Sequence, residues 1–236
     1  MTSVSLHGVT DTLPPEYEEY ASALETAATA FREVELLFND SNYARKVGWK
    51  IDEESDDGDV VVYAKYTPRG KMVTVSTELA LDVDTVMNES WTGVEGLPKW
   101  NPNIKFAKTI ASPTPNFDIV TYGNNDVLIV SGREFVSARI YRKTPSGYIM
   151  ASRSVNVKDY PERKSRVRAE LILAGARFTP HPTKKNVTLT DVVMQADLKG
   201  LIPKFIMNRV MGKIMLMDTE ENRRHFKDLG DTRISL

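Results

Sequence analysis

The order of strand signals constrains this chain more than any other feature. Six stretches of strand character follow one another: Phe106–Ser112, Phe117–Tyr122, Glu134–Lys143, Gly147–Val157, Arg166–Phe178 and Val187–Asp197. Turn-forming segments separate them, at 113–115, 124–125, 145–147, 159–164 and 179–185. No helical pattern intervenes, so the connections suit antiparallel neighbours rather than the helical crossovers of a parallel sheet. The apolar run Val127–Val130 reads as either strand or buried loop. Further strand signals lie upstream in Trp49–Asp52, Val60–Tyr66 and Met72–Leu81. In the last of these, Val73, Val75, Leu79 and Leu81 alternate with Thr74, Ser76 and Glu78, the period of a half-buried strand.

Helical patterns bracket the strands. After Pro14 and Pro15, the residues Tyr17, Tyr20, Leu24, Ala27, Phe31, Val34 and Phe38 recur at steps of three and four. Two short helices fit Asp84–Trp91 and Leu97–Trp100, and a long one runs from about Leu201 to Phe226. Its surface carries one apolar stripe of Ile202, Ile206, Val210 and Ile214, and another of Met207, Met211 and Met215. Arg223, Arg224 and His225 suit its C-terminal end. The simplest organisation is one α+β domain over residues 1–236, with a core of about 15–226 and flexible tails at 1–14 and 227–236.

Composition mainly excludes. Thirty-one basic and 32 acidic residues leave a net charge of −1, a poor basis for nucleic-acid binding. Cysteine is absent, which removes disulfides, thiol catalysis and cysteine-ligated metal. The three histidines, His7, His181 and His225, are scattered. The Glu53–Asp59 run lacks the calcium-loop spacing, and no phosphate-cradling glycine loop occurs. No apolar run approaches the length of a membrane span. The expectation is a cytoplasmic protein, a monomer with no cofactor and no metal, membrane-associated if it belongs to a longer chain.

Three features invite a functional reading. Four of the nine methionines fall within Met207–Met217; this is core packing by default, or the deformable wall of an apolar cavity. On Phe135–Arg142, residues Phe135, Ser137, Arg139 and Tyr141 share one strand face, and Val136, Ala138 and Ile140 the other. Arg139 is exposed or salt-bridged by default; pointing inward it requires a paired carboxylate, and such a pair could orient a ligand's oxygen. Trp100-Asn101-Pro102-Asn103 is a packing turn, or the border of a cavity mouth. The basic cluster of Lys158–Arg168 reads as a solvated loop, with membrane docking as the alternative.

The segments Trp100–Ile104 (WNPNI), Gly132–Arg139 (GREFVSAR) and Asp197–Lys204 (DLKGLIPK), in this order and spacing, resemble the START (StAR-related lipid transfer) domain and its steroidogenic acute regulatory protein group. The likeness covers about Pro15 to Phe226. It implies a helix-grip fold, in which a curved antiparallel sheet wraps a long C-terminal helix and encloses an apolar tunnel for one lipid, bound without chemistry. Arg139 matches the family's arginine inside the tunnel. Counting without gaps places its acidic partner at Val120, whereas Asp118 lies two residues earlier on the same strand face. The implied ligand contacts are Arg139, Asp118, Trp100, Phe135, Ser137, Met150, Ser152, Met207, Met211 and Met215.

A sterol such as cholesterol is the first expectation for the ligand. A carotenoid is the second, because the group includes a silkworm carotenoid-binding protein and the acidic partner here is displaced. The C-terminal helix, or the loops Asn156–Lys164 and Pro180–Lys185, would move to admit the ligand, and contact with a membrane would be transient. An enzyme of the wider fold, with Glu78, Glu170 or Asp191 as acid or base, and a lipid-gated interaction module are the competing classes.

Overall fold

The structure, a computed structural model, describes residues 1–234. A short hairpin of β1 (Ser3–Leu6) and β2 (Val9–Thr12) comes first. A 3₁₀ turn over Pro15–Tyr20 then leads into α1 (Ala21–Asn39). Proline suits that turn because the first helical N–H has no partner to lose. The spacing of Leu24, Ala27, Ala28, Phe31, Val34 and Phe38 buries one face of α1. Asp40 ends the helix and caps α2 (Ser41–Ala44), its side chain accepting from the Asn42 N–H.

Next come β3 (Lys50–Glu54), β4 (Val61–Thr67), β5 (Gly70–Leu79), α3 (Val83–Thr92) and α4 (Leu97–Trp100). The long strand run holds β6 (Ile104–Thr114), β7 (Phe117–Asn124), β8 (Arg133–Thr144), β9 (Gly147–Ser154), β10 (Val167–Arg168), β11 (Glu170–Pro180) and β12 (Thr188–Asp197), and α5 (Lys204–Ile234) closes the chain. The order across the large sheet is β3-β4-β5-β12-β11-β9-β8-β7-β6, all antiparallel. The expected strand Arg166–Phe178 is split: β10 pairs in parallel with β8, Ala169 donates its N–H to the Glu134 carbonyl, and β11 begins only at Glu170.

The period-two alternation gives the sheet two working faces. Val136, Ala138 and Ile140 of β8, with Ile119, Ile149, Leu173 and Val193, pack against α1. Gly175 makes that approach possible, since a Cβ there would lie 2.4 Å from the Val34 side chain. The opposite face turns Phe135, Val73, Val75 and Leu171 toward α5, which contributes Val210, Met211, Met215 and Leu216. The sheet therefore grips the C-terminal helix, and the fold is the α+β helix-grip arrangement.

Of the tails expected at 1–14 and 227–236, the first holds the β1–β2 hairpin and the second continues α5 as far as 234, while 235–236 lie outside the described residues. Leu13 is wholly buried, and the hairpin is stapled to the sheet by Arg142, whose side chain is sealed from solvent. The Arg142 Nε donates to the Leu6 carbonyl at 3.0 Å and Nη2 to Asp11, which also accepts from Thr114. At the other end α5 continues to Ile234, so Arg223, Arg224 and His225 lie inside the helix rather than at its cap.

Candidate ligand-binding cavity

Between the gripping face and the helices lies a cavity of about 340 Å³, with a side chamber of about 190 Å³. The main cavity is at the lower end of the roughly 300–1,000 Å³ range of small-molecule sites. Its wall is mostly apolar: Leu79, Leu171, Ala174, Ala176, Phe178, Val192 and Met194 from the sheet, Val94 and Leu97 beside α4, and Ile214, Met215 and Phe226 from α5. Both chambers share Tyr122, Arg139, Asp218 and Asn222, which form one polar patch of the wall.

Arg139 stands directly across from Asp118 on β7. Its Nε donates to Asp118 Oδ1 at 2.9 Å and its Nη2 to Oδ2 at 2.6 Å, a two-point pair in which both residues are buried. Nη2 also donates to the Trp91 carbonyl at 2.9 Å, and Nη1 to the Ser90 carbonyl at 3.4 Å. Those carbonyls belong to the last turn of α3, where helix acceptors lack partners and a cation is favoured. The guanidinium carbon lies 4.5 Å from the centre of the Trp91 ring. Of five N–H groups, one on Nη1 stays free among the described contacts. Burial pushes the Asp118 carboxyl above the usual carboxylate range, and the Arg139 hydrogen bonds pull against that rise. Neutralised in this way, Arg139 suits a neutral oxygen better than an anion. The Ser152 side chain, opposite Arg139 on β9, lines the wall beside it.

Asp218 of α5 forms the second polar group. Its Oδ1 accepts from Asn101 Nδ2 at 3.1 Å and Asn103 Nδ2 at 3.0 Å. Asn101 is preset for this, because its own Oδ1 accepts from the Asn103 N–H and folds the segment into a turn. Burial raises the Asp218 carboxyl, with the two amide bonds opposing. Burial also raises the Tyr122 hydroxyl. Nearby, Trp100 stacks on His225 at 4.1 Å, and His225 Nε2 meets Glu89 Oε1 at 3.0 Å, tying α5 to α3 and α4.

The sequence profile of the START domain matches residues 29–232. The chain belongs to the START domain family. It is 60% identical over 228 residues to steroidogenic acute regulatory-like protein 1 of Caenorhabditis elegans, a match covering 96% of this chain and 88% of that one. It is 27% identical over 177 residues to the human mitochondrial steroidogenic acute regulatory protein, covering 70% of this chain and 59% of the human one. Human StAR-related lipid transfer protein 5 has the same fold, with a TM-score of 0.78, 17% identity and coverage of 89% of this chain and 99% of that one. Human STARD10 aligns with a TM-score of 0.69 and 21% identity over 83% of both chains.

Within this START domain the cavity brings together Arg139, Trp100, Met150, Ser152 and Met215 from the expected set, and Asp118 stands directly behind Arg139. Four expected contacts fall outside the wall. Phe135 stacks on Tyr122 at 5.1 Å, and with Met211 and Met207 it joins the core between β8 and α5. Ser137, fully buried, does not reach the cavity surface. Val120, the ungapped position, faces Ser137 across the strands, while Asp118 faces Arg139.

The loops Asn156–Lys164 and Pro180–Lys185 do not line the wall among the described residues; Glu89, Ser90, Gly93 and Leu97, in and after α3, do so instead. In the basic cluster Lys158, Arg163 and Lys164 are exposed, as a solvated loop requires, while Arg166 and Arg168 are half-buried. Arg163 and Arg168 each lie 3.7 Å from the buried Glu134, and Arg166 donates to the Asn124 carbonyl. Asp218, Asn222, Tyr122 and Glu89 were missing from the expected site. Met211, Met215, Asp218 and Asn222 recur at helical spacing, so a polar pair on an apolar stripe was the available signal.

Proposed function

We propose that this START domain carries one neutral sterol-sized lipid, cholesterol or a close relative, and performs no chemistry on it. The supporting observation is the apolar cavity in which the one cation among the described lining residues, Arg139, is already neutralised by Asp118 and keeps a single free N–H. Apolar burial, at about 25 cal/mol per Å² removed from water, supplies the drive. Arg139 and Ser152 give the sterol hydroxyl a bearing. The relatives' names speak of steroidogenic acute regulation, which favours a sterol. The carotenoid alternative drew on a displaced acid; Asp118 directly opposite Arg139 supports the sterol reading over it.

Enzymatic use finds no support in the acids first considered. Glu78 pairs with Lys184, Glu170 with Lys199 and Asp191 with Arg177, and none lines the cavity. The proposal includes no cofactor and a working monomer. It also includes brief membrane contact through the exposed Leu128 and Ile129 of the β7–β8 loop and Leu201 and Phe205 at the start of α5. No helix among the described residues is long and apolar enough to cross a membrane.

Titration with a fluorescent sterol tests the reading. Wild type binds at one site and cholesterol competes. The double variant Asp118→Leu/Arg139→Leu removes the pair without stranding a buried charge; it folds and binds about tenfold more weakly. Folded wild type that binds no sterol, or that takes up a xanthophyll with a visible band which sterol cannot displace, would overturn it.

A further inference from the structure

We propose that the cavity holds a second polar anchor, Thr190 of β12, and that this START domain therefore prefers lipids bearing a neutral oxygen at both ends. The inference rests on the sterol-carrier reading and sharpens its ligand class. Thr190 is 4% exposed and lines the cavity wall, yet its hydroxyl has no hydrogen-bond partner among the described residues. Its orientation follows from the strand period: Val192 and Met194, two and four residues on, share its strand face and line the same wall. Thr77 stands directly opposite on β5 and lines the cavity too, so two hydroxyl-bearing side chains face each other across one strand pair.

A hydroxyl buried without a partner carries a desolvation cost that an incoming oxygen would relieve. Thr190 is far from the first anchor. Arg139, Ser152, Ala174 and Met194 form one row across β8, β9, β11 and β12, and Thr190 lies four residues further along β12. Three strand spacings and four residue rises put the two anchors roughly 20 Å apart along the curved sheet.

Among the described residues the charges along the wall are Glu89, Asp218 and the neutralised Arg139, so an anionic ligand end finds no free cation among them. The ligand end that meets Thr190 is therefore a hydroxyl or a keto oxygen. A side-chain-hydroxylated sterol has this pattern, and cholesterol has only one half of it.

Affinities of cholesterol and a side-chain-hydroxylated sterol, measured for wild type and Thr190→Val, test the proposal, together with a long-chain alcohol and its α,ω-diol. Wild type should bind the doubly oxygenated member of at least one pair about tenfold more tightly. Thr190→Val, of nearly the same shape, should erase that preference by weakening the doubly oxygenated member about tenfold more than the singly oxygenated one. If sterols bind but without preference, or Thr190→Val weakens both members alike, the second anchor is wrong and the sterol reading stands. If no sterol binds while the diol is preferred through Thr190, the anchor stands and the sterol reading falls. Folded protein that binds none of the four overturns both.

Discussion

Burial disfavours the charged form of Asp218, yet two amides depend on its oxygen. Asp218→Asn removes the charge and keeps an acceptor; Asp218→Leu strands Asn101 and Asn103. At neutral pH the Asn variant should match or exceed wild type in unfolding free energy, and the Leu variant should lose about 1–3 kcal/mol, both read by chemical denaturation. The pH dependence follows from the raised pKa. Between the unfolded and folded values the native state holds a proton that the unfolded chain has released, so stability from this site is complete below the unfolded pKa. It is lost as pH rises through the folded one. Acidification from neutral pH should therefore shrink any advantage of the Asn variant. Arg142 makes the opposite case, since its charge is matched by Asp11. Arg142→Met leaves that carboxylate buried without a counter-charge, with Thr114 as its remaining donor, and should cost about 3–5 kcal/mol and release the hairpin to proteolysis. Arg139 was legible in the sequence because a charge on one face of a β-strand pattern is conspicuous. Its tie to Asp118 needed the strand register, and Asp218 was obscured by the methionines around it.

The final helix is held by contacts that sequence spacing could not show. Lys71, 5% exposed, donates to Asp52 at 2.6 and 2.7 Å and to the Asn208 carbonyl of α5. Gly212 passes over that pair, and a Cβ there would lie 1.9 Å from Asp52 Oδ2. Alanine improves intrinsic helix propensity by about 1 kcal/mol, but the collision outweighs it. Gly212→Ala should lower the thermal midpoint, and a rise would show that α5 shifts freely. At the far end, Glu89 and His225 join α3 to α5. The chain has no other thiol to interfere, so Glu89→Cys/His225→Cys can be bridged by a short bifunctional reagent. If access to the cavity runs between α3 and α5, the bridge slows ligand uptake severalfold and reduction of a cleavable linker restores it; unchanged uptake places the route elsewhere. The strands and helices were readable from periodicity and turn residues. The hairpin at residues 3–12 was not, because four-residue strands carry too little pattern.

Across the whole molecule, the sheet joins distant parts of the chain. Leu79 of β5 pairs with Thr188 of β12, and Thr188 donates to the Leu81 carbonyl 107 positions away. Such long closures make folding slow, on the order of milliseconds to seconds. The exposed Leu128, Ile129, Leu201 and Phe205 concern encounter rather than folding. Replacing all four with serine should slow ligand transfer between vesicles and leave solution affinity unchanged. With a net charge of −1, raising the salt should change the wild-type transfer rate little. The sheet itself is open: β3 and β6 end its ladder, and they do not pair with each other. A closed barrel fixes its girth through an unbroken ring of backbone hydrogen bonds. This cuff ends in two free hems, with α5 packed beside β3 and α4 beside β6. Its bore can widen or narrow by sliding helices while every inter-strand bond is kept. Ligands of different thickness then cost side-chain repacking rather than broken backbone hydrogen bonds.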